Sequence, residues 1–213
     1  MKCRLLFFAI LFFFPFFNVP GADSQELPPI YSISRYEAEF ELVPNGKKLF
    51  RDISARLDIT YDVIRGPKGD GFKYVGTHPV KNVSVTDETG AELKHRLEKK
   101  GEWRITWYFP DLYEGKKRVI VNFIVEDALK GDSRECRFSP GWVNKWRIPV
   151  SDVTYRFIFP KGHRIDQIET DPTQKKAFFA YDRKIIEIHM DEISRIPFSI
   201  RFSPGISNTP DTI

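Results

Sequence analysis

The chain has 213 residues, a formal net charge of +4 and only two cysteines. Its 33 Lys and Arg are interspersed with 29 Asp and Glu, leaving no basic stripe of the kind that tracks a nucleic-acid backbone. Two thiols cannot staple a small multi-disulfide scaffold, so an apolar core must carry the fold.

Residues 1–24 have the pattern of an export signal. Lys2 and Arg4 precede an almost unbroken apolar run from Leu5 to Phe17, and Ala22 and Ser24 offer small residues for cleavage. The run falls short of the roughly 20 residues a spanning helix needs, and Pro15 would disturb a helix there. Cys3 lies before the apolar run, which argues against a lipoprotein. The expectation is a cleaved leader and a periplasmic or extracellular protein, with a retained membrane anchor as the alternative. Cleavage leaves about 190 residues, enough for one large domain or two small ones. It also leaves Cys136 as a lone thiol, expected to be buried or inert.

Residues 25–34 form a Pro-containing, extended lead-in. From Tyr36 to Val43, Tyr36, Ala38, Phe40 and Leu42 alternate with Glu37, Glu39 and Glu41, the period of a strand with one buried face. A second, longer alternation follows from Asp52 to Val63. The glycine-rich run from Arg65 to Gly76 reads as a mobile surface loop. A phosphate cradle is the rival reading, but no Walker pattern opens a helix there. Val80–Thr86 and Glu92–Leu97 are expected to pair as a hairpin about Glu88-Thr89-Gly90, and Asn82-Val83-Ser84 is a glycosylation sequon. In Glu102–Phe109, Trp103, Ile105, Trp107 and Phe109 share a face. That face is expected to be core, with a sugar-stacking platform as the alternative.

Lys116–Pro160 is the centre of the chain. It holds strands over Val119–Val125 and Val153–Phe159, joined by a polar connection from Asp127 to Phe138 with room for a short helical turn. Ser139-Pro140-Gly141 then breaks the chain before Trp142 and Trp146, which are expected to anchor the loop onto the core. Further strands are expected near 164–168, 177–181, 185–190 and 197–202, followed by a flexible tail over 205–213. The fold class is all-β: an antiparallel β-sandwich of about ten short strands spanning 35–204.

Chemistry-bearing patterns are sparse. His78, His95, His163 and His189 show no HxH or HExxH spacing, no second mature cysteine is available for a zinc site, and no GxSxG is present. No catalytic, metal or cofactor residue is assigned. The candidate binding residues are Trp142, Trp146, Arg137 and Lys145, in or beside the loop from Asp127 to Arg147.

Val83, Val85 and Gly90, Ala128-Leu129, Trp142 and Trp146, Ile148-Pro149 and Phe159-Pro160 carry a resemblance. In their order, over Tyr36 to Gly162, the chain resembles the extracytoplasmic N-terminal β-sandwich of predicted membrane proteins in domain-of-unknown-function family 2207. It is also similar to the β-domain that precedes transglutaminase-like cores. No spanning segment and no Cys/His/Asp catalytic region follows in this sequence, so the resemblance implies architecture rather than activity. The expected role is an exported, non-catalytic module that binds another envelope or secreted protein, without nucleic acid and with its oligomeric state open. A carbohydrate-binding module and a cryptic hydrolase or thiol enzyme are the alternatives. The membrane is a partner only if the leader is retained.

Overall fold

The computed structural model describes residues 30–44, 50–65, 70–110, 114–132, 134–161, 165–171, 176–180, 183–193 and 198–204. The leader and the tail lie outside them. Among the described residues, fourteen strands, numbered in chain order, form three sheets. The large sheet has seven strands in the order β12 (Lys176–Ala180), β13 (Arg183–Glu192), β10 (Ser151–Ile158), β1 (Ile30–Pro44), β2 (Phe50–Arg65), β7 (Gly115–Val125) and β4 (Val80–Asp87). A four-stranded sheet runs β11 (Ile165–Asp171), β14 (Ser199–Pro204), β9 (Cys136–Phe138), β8 (Lys130–Gly131). A three-stranded sheet runs β3 (Asp70–Tyr74), β6 (Glu102–Tyr108), β5 (His95–Lys100).

The alternation of the central strands becomes one continuous apolar face because their registers agree. Ala38 pairs with Leu57 and Tyr155, and Leu57 pairs with Val121. Each strand therefore turns its buried set the same way, and a one-residue slip would send every set to solvent. The four-stranded sheet covers part of this face through aromatic contacts. Phe40 meets Phe138 at 5.0 Å and Phe198 at 5.8 Å, and Phe157 meets Phe202 at 5.8 Å. Ile105 and Trp107 of β6 belong to the same core. Such ring pairs bury large areas and add roughly 0.5–1.5 kcal/mol each beyond burial.

The opposite face of the large sheet is a lattice of charges. Arg118 grips Asp58 with two hydrogen bonds of 2.7 and 2.6 Å, and Arg156 reaches Glu37 and Glu39 at 3.2 Å and Glu187 at 2.8 Å. This is the wet face that Glu37, Glu39 and Glu41 announce in the sequence.

Several expectations are corrected. The described residues hold fourteen strands rather than about ten, the additional ones being β3, β8 and β9, and β1 and β2 are long rather than short. The pairing is not antiparallel throughout, since β1 and β10 run parallel, an arrangement that needs the long crossover between them. β1 begins at Ile30, so the end of the extended lead-in is already strand. The expected hairpin reduces to a bridge between Thr86 and Glu92, with Asp87 N–H donating to Ala91 O at 3.0 Å. Beyond it the chain leaves β4, which pairs with β7, and enters β5, which pairs with β6. The polar connection 127–138 contains the strand pair β8–β9 in place of a helical turn. Within the glycine-rich run, Asp70–Tyr74 is strand.

Candidate functional site

The loop between β9 and β10 is pinned at two points. Val143 N–H donates to Pro140 O at 2.9 Å and Lys145 N–H to Trp142 O at 3.1 Å, which folds 140–145 into tight turns after the Pro-Gly break. Those turns drive Trp142 inward, 6% exposed, against Phe40 and Phe123 at ring separations of 6.0 and 5.8 Å. Gly76 makes room for it: its φ is +85°, and a Cβ there would lie 2.9 Å from the Trp142 ring. Trp146 is half-buried and meets Tyr36 edge-on at 5.1 Å.

Beneath Trp146 lies the residue that sequence reasoning missed. Lys73, on β3, is 2% exposed, and its Nζ stands 3.8 Å from the centre of the Trp146 ring. The amine donates to Lys145 O at 2.9 Å and Val143 O at 3.3 Å. No carboxylate among the described residues pairs with it. Burial, reinforced by the charge of Lys145, holds the Lys73 ammonium well below the ordinary lysine range. Lys73 thus ties β3 to the 139–147 loop by reaching carbonyls some seventy residues away.

Two clefts flank this loop. The first, about 500 Å³, is bounded by β3, by Tyr61 and Val63 of β2, and by Lys145–Ile148. The second, about 480 Å³, lies between Val75–His78 and the segment around Arg137–Trp142. Lys145 and Glu102 line both and are paired at 3.3 Å, so this ion pair separates the two spaces. The four candidate residues therefore meet around one loop but on different sides of it. Arg137 and Trp142 line the second cleft, Trp146 the first, and Lys145 both. The signal that could have found Lys73 is the alternation of Gly71 and Lys73 with Phe72 and Tyr74, a strand pattern hidden by the glycines.

Cys136 and the described His95 and His189 each have local partners. Cys136 is buried, and its Sγ donates to Asp132 O at 3.3 Å. Burial, together with the nearby Asp132 and Glu135 carboxylates, raises its thiol pKa, the reverse of what a nucleophile needs. His95 lies against Leu93 O and His189 against Thr154, while His163 falls outside the described residues. Among the described residues, no group of three or more His, Cys, Asp or Glu could hold a metal ion.

No protein-family model matches the chain, and no curated protein matches it in sequence. Solved structures do match. Native leukotriene A4 hydrolase from Saccharomyces cerevisiae is similar with a TM-score of 0.53 and 12% identity, over 84% of this chain and 30% of that one. A substituted form of an M1 zinc metallopeptidase from Deinococcus radiodurans is similar with a TM-score of 0.51 and 10% identity, over 81% of this chain and 42% of that one. The likeness is one of fold. This chain spans less than half the length of either protein.

Proposed function

We propose that this chain is an exported, non-catalytic β-sandwich that binds another protein or a cell-envelope component through the clefts beside the 139–147 loop. The observation that carries the reading is the pair of clefts sharing Lys145 and Glu102, one walled by β3 and Trp146, the other by Arg137 and Trp142. Concave sites with apolar walls and a few placed polar groups are where ligands settle. Export rests on the sequence pattern of residues 1–24. The relation to domain-of-unknown-function family 2207 belongs to the same proposal and rests on packing and turn residues such as Trp142, Trp146 and Ile148-Pro149.

The non-catalytic part is supported by the buried, acid-flanked Cys136 and by the local partners of His95 and His189, a backbone carbonyl and a threonine hydroxyl. The activities of the peptidase and hydrolase neighbours belong to proteins of which this chain spans only part. A sugar platform needs open indole faces. Trp142 and Trp107 are buried, Trp146 is covered by Lys73 on one side and Tyr36 at its edge, and Trp103 is half-buried against the core with Lys99 Nζ 5.6 Å from its ring centre.

A quantitative pulldown from envelope fractions tests the reading, comparing the wild type, a Lys145→Glu/Arg147→Glu variant and an Asp191→Lys variant, whose exposed side chain lines neither cleft. A partner retained by the wild type and Asp191→Lys, and lost from the double variant, is expected. Equal retention by all three would refute the cleft as the binding site.

A further inference from the structure

Resting on that reading, we infer that the first cleft binds its partner by strand addition: an extended polypeptide segment pairs with the free edge of β3. The three-stranded sheet ends at β3, which among the described residues pairs only with β6. The phase of that pairing is fixed. Val75 N–H donates to Trp103 O at 2.9 Å, so two and four residues earlier Lys73 and Gly71 face Ile105 and Trp107 in the same bonded phase. Antiparallel strands alternate bonded and non-bonded pairs, so the backbone N–H and C=O of Phe72 and Tyr74 point away from β6.

They point toward the cleft. All five residues from Asp70 to Tyr74 line it. A cavity lying on a sheet face would touch every second residue, because side chains alternate; one that touches five in succession runs along the edge. Edge strands are commonly blunted by an outward lysine, but Lys73 is turned under the loop and does not guard this edge. Trp146 and Ile148 also line the slot, as do Tyr61 and Val63 of β2, apolar groups that can receive side chains of an added strand.

Charge narrows the occupant further. Of the cations that line the cleft, Lys73 is buried beneath the loop and Lys145 is paired with Glu102 at 3.3 Å, whereas Arg147 is exposed. The segment that fits is extended, apolar at alternate positions, and carries a carboxylate that lies beside the exposed Arg147.

The test uses the whole protein and a phage-displayed random peptide library, counter-selected against an Arg147→Glu/Ile148→Glu variant. Enriched peptides are synthesised and titrated, with backbone N-methyl groups placed at alternate residues in each of the two phases. N-methylation in one phase is expected to weaken binding about tenfold or more, and in the other phase about twofold or less. Phe72→Pro removes an N–H directed at the cleft while sparing the β3–β6 ladder, and is expected to weaken binding about tenfold. The methylated peptides need no variant, so a folding defect in Phe72→Pro does not blunt the test. Peptides that discriminate between the two proteins yet tolerate methylation in both phases would overturn strand addition and leave the cleft-binding reading standing. A library that yields no discriminating peptide would overturn both.

Discussion

Lys73→Met isolates the energetic signature of the buried amine. In the folded protein Lys73 is held below the ordinary lysine value of 10.5 by burial, whereas the unfolded chain titrates near that value. Between the two values the unfolded state binds a proton that the folded state does not. Stability therefore rises with pH across that window and is lost as pH falls through the folded value. The slope approaches about 1.4 kcal/mol per pH unit. Methionine fills a similar volume without a titrating group, at the cost of the donors to Val143 O and Lys145 O, a loss that adds an offset rather than a slope. Urea unfolding at several values from about pH 7 to about pH 9 measures the difference, below the range in which tyrosines ionise. The wild type should gain on Lys73→Met by up to about 1.4 kcal/mol for each pH unit within the window. A wild-type-minus-variant difference that does not change with pH would refute the uncompensated buried amine.

Other perturbations address the scaffold. Gly71→Ala places a Cβ 2.1 Å from Nε1 of the buried Trp107, so the indole must shift; urea unfolding should show a loss of about 1–3 kcal/mol with altered tryptophan emission. Burial alone would raise the Asp58 carboxyl, but the hydrogen bonds and charge of Arg118, with those of Arg56, hold it below its ordinary value. Asp58→Asn should cost about 1–3 kcal/mol at neutral pH, moderated because Arg118 is half-exposed. That cost should shrink as pH falls below the ordinary value of 3.8, where the folded carboxylate is progressively protonated, and stability against pH by circular dichroism would show it. In a Cys3→Ser background, Cys136 should resist iodoacetamide in the folded state and react once urea unfolds the chain. Equal rates in both states would contradict its burial.

The large sheet was legible because its signal is local. Tyr36, Ala38, Phe40 and Leu42, or Val119, Val121, Phe123 and Val125, declare a buried face by alternation alone, and those residues form it. Partners are another matter. Nothing in the β1 sequence states that it runs parallel to β10, more than a hundred residues later, and nothing near Gly90 states that β4 and β5 separate into different sheets. The candidate loop was found through Trp142 and Trp146, large aromatics beside a Pro-Gly break. The β3 wall of its first cleft was not. Gly71 reads as a loop residue although it is small because Trp107 leans on it, and Lys73 reads as solvated although distant carbonyls hold it inside. Both facts arise from contacts between remote segments, which a one-dimensional pattern does not carry.

The central claim is that the face beside the 139–147 loop meets the partner. Site-specific photo-crosslinking tests it most directly, with a photoreactive amino acid placed in turn at Arg147, beside the first cleft, and at Asp191, exposed on β13. Irradiation in envelope preparations should give a defined crosslinked partner from position 147 and none from position 191. The same partner crosslinked from 191 and not from 147 would contradict the account.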